Sequence, residues 1–164
     1  MAVADWNFTA GHYTCSWNGT DIGSSKEGFN LRIEYHEQMI ITDEFGEGAV
    51  DGVIIGMDVF VDLDFVEYAE VEDAIMAQAG ANTAAQGYNY TEVGKLLTAK
   101  AAELILVPVL RTANTRTYTA NKAIIVGNIN AILSSRLREG PITFRLFPQT
   151  TTAGGNRGKY FVMS

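Results

Sequence analysis

Between residues 57 and 65 the chain alternates without a break. Met57, Val59, Val61, Leu63 and Phe65 are apolar, while Asp58, Phe60, Asp62 and Asp64 fill the positions between them. Successive side chains of an extended strand leave on opposite faces, so the run predicts a strand with one face in a core and the other in water. Such a strand cannot be stable alone and obliges the rest of the chain to supply neighbours. The three aspartates fall on the outer face, with same-face neighbours about 7 Å apart along the strand. As a line of negative charge they gain nothing for folding. Either the face is simply solvated, or it lines something that must not hold anions.

Other segments repeat the pattern. Residues 11–17 alternate and end at Asn18-Gly19, a dipeptide that tolerates positive φ at both positions and so predicts a tight hairpin turn. Residues 20–23 read as a short return and residues 24–28 as a second turn. From Phe29 to Glu37 the chain alternates again, with Phe29, Leu31, Ile33 and Tyr35 on one side. Residues 42–52 combine glycines with Asp43, Glu44, Glu47 and Asp51, too polar for a core element, and read as a long exposed loop of the kind that usually carries function. Gly56 marks a bulge at the start of the aspartate strand.

Residues 67–78 change to helical spacing, with acids in the first turns where the helix dipole favours them and Gly80 as the stop. A small, polar loop follows, then a short helical stretch within 91–102. Residues 103–109, 117–126, 129–137 and 141–148 read as strands, with a bulge near Asn121, and 159–163 as a last strand or tail. The chain is therefore mainly β: a β-sandwich or barrel of about 8–10 strands with one flanking α-helix. Residues 1–10 form an N-terminal arm, and residues 11–164 a single domain.

Charge is divided along the sequence. Residues 1–73 carry 16 acids against Lys26 and Arg32, whereas residues 74–164 carry 10 basic residues against Glu92, Glu103 and Glu139. Oppositely charged halves can neutralise each other within one fold, or pair head to tail between copies. The overall charge of −7 argues against a nucleic-acid binder, which would present a basic patch. No apolar run approaches the roughly 20 residues that span a bilayer, and no leader pattern opens the chain, so a soluble protein is expected.

Enzymatic signals are missing. The single cysteine, Cys15, lies in an alternating stretch and reads as a small buried hydrophobe. His12 and His36 have no neighbours at zinc-ligand spacing, and neither a nucleophile elbow nor a phosphate loop is present. Carboxylates on one open strand face are all ionised, which suits neither acid–base chemistry nor a calcium loop. No catalytic residue, metal or cofactor is expected.

Several pieces are familiar in this order: NGTDIG at 18–23, KEGFNLRIEYHEQ at 26–38, DEFGEGAVDG at 43–52, the alternating strand, EVEDAIMAQ at 70–78, LILVP at 104–108 and PITFRLFP at 141–148. Over residues 11–148 the chain resembles the major tail tube proteins of long-tailed bacteriophages, relatives in architecture of the type VI secretion tube. The resemblance implies a virion structural protein whose hexameric rings stack into a tube, with DNA passing through the channel without specific binding. It also implies tape-measure, tail terminator and baseplate proteins as partners. On that reading Asp58, Asp62 and Asp64 face the lumen and repel phosphate. Asp43, Glu44, Glu47 and Asp51 reach the next ring, where Arg111, Arg116, Arg136 and Arg138 form a basic partner surface.

Two departures from the family pattern stand out: the early loop is short, and residues 150–164 carry no recognisable accessory domain. Two other readings remain open. The chain resembles in fold a tail terminator or neck protein, which would form a single ring. It is also compatible with a β-sandwich carbohydrate-binding module, with Trp6, Tyr13, Trp17, Tyr88 and Tyr90 as a stacking platform.

Overall fold

A computed structural model describes residues 11–41, 49–65, 94–110, 115–127, 140–150, 155 and 157–164. Among these, seven strands form one antiparallel sheet: β1 (Tyr13–Trp17), β2 (Thr20–Ile41), β3 (Ala49–Phe65), β4 (Ala102–Pro108), β5 (Tyr118–Val126), β6 (Gly140–Leu146) and β7 (Val162–Met163). A single helical turn, α1 (Leu97–Lys100), precedes β4. The fold is mainly β, as the alternation requires. The predicted helix at 67–78 and the predicted strand at 129–137 lie outside the described residues.

The sheet runs β4-β1-β2-β3-β6-β5-β7, and β4 also pairs with β5. That last pairing closes β4, β1, β2, β3, β6 and β5 into a barrel, with β7 added on the free stretch of β5. Closure removes the open edges a flat sheet would leave. The core fills the barrel with Cys15, Trp17, Ile22, Val59, Val61, Leu63, Leu104, Leu106, Ile142, Phe144 and Leu146. Val59, Val61 and Leu63 are the inward residues the alternation predicts. Cys15 is fully buried, and burial pushes its thiol pKa far up, so it packs as an unreactive hydrophobe.

Local chemistry accounts for the turns. Asn18 and Gly19 both adopt positive φ, and Trp17 pairs with Thr20, the two-residue hairpin that Asn-Gly favours. The two stretches expected as a return and a turn at 20–28 are instead part of one long strand. Along β2 the chain first pairs with β1, as far as Ser24, and then with β3 from Ser25 onward. The register shifts between Ser25 and Phe29, which leaves residues 26–28 bulged out of the ladder. Gly28 supplies the positive φ there. The buried Ser25 hydroxyl fastens this bulge by accepting from the amides of Tyr13 at 3.0 Å and Gly28 at 3.2 Å. Its carbonyl accepts from His12 Nδ1 at 2.9 Å, which fixes that tautomer.

Two further bulges stand where the sequence points. His36 pairs with Gly56 and Glu37 with Ile54, so Ile55 is the extra residue, next to the expected glycine. Against β4, Ala102 pairs with Ala123 and Leu104 with Ala120, which places another irregularity at residues 121–122. The Trp17 indole exploits the neighbouring backbone and donates Nε1–H to the Ala123 carbonyl at 3.0 Å.

Candidate functional site

The barrel engages little more than half of the β2–β3 hairpin. Strand β6 pairs with β3 from Val59 to Phe65, and β1 pairs with β2 only as far as Ser24. Beyond those limits the hairpin continues as a two-stranded arm, from Tyr35↔Met57 out to Ile41↔Ala49. Among the described residues no strand pairs with the outer edge of β2 over residues 26–41, or with that of β3 over residues 49–57. The predicted loop is accordingly shorter than the sequence suggests. Residues 49–52, including Asp51, belong to β3, and Asp51 holds the Gly52 amide at 2.7 Å.

Both faces of the arm carry apolar residues, interspersed with Glu37 on one and His36, Gln38 and Asp51 on the other. On the side continuous with the core lie Tyr35, Met39, Ile41 and Ile54; on the other lie Ile40 and Val53, as strand pairing dictates. All are exposed, and Ile55 at the bulge is 64% exposed. β-branched residues with no core to enter are a costly surface for an isolated monomer. An unpaired edge with such side chains is a template for another strand.

At the arm's base, the outer face of β2, β3 and β6 holds the aspartates. The sequence suggests a bare negative line; the register shows paired charges. Asp58 accepts from His36 Nε2 at 3.0 Å on β2 and from Arg145 at 2.6 Å on β6. Both contacts are diagonal ones across adjacent strands. The hydrogen bond from His36, then that from Arg145, holds the Asp58 carboxyl below its usual pKa. Asp62 accepts from the Thr143 hydroxyl at 2.7 Å and lies 3.5 Å from Arg32 Nε. Arg32 also bonds Glu34, which relieves the like-charge pair Glu34↔Asp58 directly across the ladder. Phe60 sits between the two guanidinium groups, with Arg32 at 4.5 Å and Arg145 at 5.9 Å from its ring centroid.

Asp58 and Asp62 therefore do contribute to folding, through partners that a single strand cannot reveal. Glu34, Asp58, Asp62 and Asp64 outnumber Arg32 and Arg145, so the face remains mildly negative. Asp62 and Asp64, with Glu27, Gly28, Asn30 and Thr143, line a groove of about 400 Å³ between the bulge and β6.

Of the remaining residues singled out in the sequence, Arg116 is exposed just before β5. Asp43, Glu44, Glu47, Arg111, Arg136 and Arg138 lie outside the described residues, as do Trp6, Tyr88 and Tyr90. Two members of the suggested aromatic platform are core residues instead: Trp17 is 2% exposed and Tyr13 7%. Tyr13 packs edge-on against Phe29 at 4.9 Å, and Phe29 in turn against Tyr118 at 4.9 Å. Periodicity put both aromatics on strand faces but could not tell an inward face from a binding face.

Sequence reasoning missed the arm's two edges, which no described strand occupies, and the C-terminal residues at its base. Strands β2 and β3 are far longer than an ordinary strand, and the signal available in the sequence was the apolar runs at 39–41 and 53–55, which break alternation. Among the described residues no helix is long and apolar enough to cross a membrane. A comparison with protein-family models finds no match, and neither does one with curated proteins.

Proposed function

We propose that this chain is a self-assembling structural subunit, the major tail tube protein of a bacteriophage, whose rings stack into a conduit for DNA in the virion. The observation that carries the reading is the arm: two long strands whose outer edges pair with no strand among the described residues, with apolar residues on both faces. In a closed ring, the β3 edge of one copy meets the β2 edge of the next, and strand alternation makes that junction antiparallel. Every subunit then uses the same two edges and no edge is left over, which is the condition for a closed heterologous assembly. Burial of Ile54, Ile55, Val53, Ile40 and Met39 between copies supplies the driving force.

The mildly negative face at the arm's base suits the wall of a channel that DNA must traverse without binding. Its cross-strand ion pairs keep the wall rigid, and the excess of carboxylates repels phosphate over about a Debye length of 8–10 Å. The division of charge between the halves of the sequence supports stacking between rings. In this reading Asp43, Glu44 and Glu47 of one ring approach Arg116 and its basic neighbours in the next. Tape-measure, terminator and baseplate proteins are the corresponding partners.

Negative-stain electron microscopy over a concentration series tests the proposal. The wild-type protein is expected to form stacked rings with a central hole. The double variant Val53→Lys and Ile54→Lys, which charges both arm faces, is expected to remain monomeric with an unchanged melting temperature. Wild-type protein that stays monomeric, with the arm's amides exchanging freely at every concentration, would refute self-assembly. Single rings that never stack would favour a terminator or neck role.

A further inference from the structure

The β3 edge changes role abruptly at Met57. On one side of that point β6 occupies it; on the other no strand among the described residues pairs with it. The register of β3 and β6 ends at Val59↔Leu146, and continuing it brings Pro148 opposite Met57. The Phe147 amide turns the other way and donates to the Lys122 carbonyl of β5 at 2.8 Å. By strand alternation the next amide would face β3. That residue is proline, which has no N–H to donate. The Tyr160 hydroxyl supplies the missing donor and meets the Met57 carbonyl at 3.0 Å.

Tyr160 is held in place independently of that bond. On one side Gln149 donates to the Lys159 carbonyl at 3.0 Å and accepts from the Gly158 amide at 2.8 Å. On the other side Phe161 packs against the core and contacts Tyr118, and β7 pairs with β5. Ser164 and Thr117 exchange reciprocal backbone bonds at 2.8 and 3.0 Å. A segment fixed at both ends presents one side-chain hydroxyl to one particular backbone carbonyl.

Resting on the self-assembly reading above, we infer that Tyr160 is a register stop: its hydroxyl occupies the last acceptor before the free β3 edge and fixes where the β2 strand of a neighbouring copy must end. A strand added along residues 49–56 cannot extend to Met57 while that carbonyl is taken. Without the stop, the added strand can advance by one ladder period of two residues, which preserves the faces of its side chains. A slip of that size changes the stagger between copies and hence the curvature of a closed ring.

The test compares ring-size distributions of wild-type, Tyr160→Phe, and the double variant Tyr160→Phe with Pro148→Ala, by native mass spectrometry and class-averaged electron micrographs. The phenylalanine keeps the ring and removes the donor, so the fraction of particles outside the main class should rise about fivefold, the factor set by the net worth of one hydrogen bond. Alanine at 148 provides a backbone N–H opposite Met57 and should restore the narrow distribution. Equal melting temperatures for wild-type and Tyr160→Phe would separate the effect from loss of folding. Wild-type rings with an unchanged Tyr160→Phe distribution, or a double variant that stays as broad as the single, would overturn the register stop alone. Wild-type protein that forms no rings would overturn the assembly reading and the stop with it.

Discussion

Replacing Ser25 by alanine should cost far more than the loss of one oxygen suggests. Ser25 is fully buried at the point where β2 leaves β1 and takes up β3. Its hydroxyl accepts from two backbone amides, Tyr13 at 3.0 Å in buried surroundings and Gly28 at 3.2 Å in partly buried ones. Alanine fills nearly the same volume, so the cavity contribution is small. The Tyr13 amide is left in the protein interior with no acceptor, which costs about 1–3 kcal/mol. The Gly28 amide can recover water in part, so its loss adds about 0.5–1 kcal/mol. The sum is about 1.5–4 kcal/mol, a large share of a typical domain's stability of about 5–15 kcal/mol. Urea unfolding at a concentration below assembly measures it. With a slope of about 2 kcal/mol per molar urea, the midpoint should fall by about 0.7–2 M. The Tyr13 amide should also exchange with solvent faster than its neighbours in β1. A midpoint shift below about 0.5 M would mean that the bulge does not depend on this hydroxyl, and the account of how β2 changes partner would fail.

Further outcomes follow from other contacts. Trp17→Phe removes the donor to the Ala123 carbonyl and part of the ring from a fully packed site. It should lower unfolding free energy by about 2–4 kcal/mol in the same urea assay, with Trp17→Tyr no better because its hydroxyl cannot reach the same acceptor geometry. Asp58 binds protons less readily in the folded chain than in the unfolded one, because His36 and Arg145 hold its charged form. Its contribution to stability is therefore complete above the unfolded carboxylate pKa of about 4 and lost as pH falls through the lower folded value. Asp58→Asn should flatten that acid limb in melting curves taken from pH 6 down to about 2, and an identical limb in both proteins would refute the pairing. Gly28→Ala forces a β-carbon onto a residue with φ of +98°, 3.4 Å from the Gly11 carbonyl, and should cost about 1–2 kcal/mol by thermal melting.

The sequence determined which residues of β3 and β6 face inward within the barrel. Val59, Val61, Leu63, Phe144 and Leu146 are buried where alternation puts them, because the two-residue period belongs to the extended backbone itself. It determined the hairpin at Asn18-Gly19, since only residues tolerant of positive φ fit that turn, and the bulge beside Gly56. It also determined that Cys15 would be buried. What it could not carry was which strand lies beside which. The partners of Asp58 are 22 and 87 residues away in sequence, and nothing local to residues 57–65 announces His36 or Arg145. The apparent turn at 24–28 is a bulge because β2 must pass from one neighbour to another, a demand set by barrel closure. The same holds for the arm. Residues 39–41 and 53–55 are apolar without alternation, but only the end of β6 at Leu146 shows that, among the described residues, no further strand pairs with the arm's outer edges. Periodicity is a short-range property of the chain, whereas register is a choice among long-range pairings, so the tertiary structure alone decided where the barrel stops and the two edges left unpaired by the described strands begin.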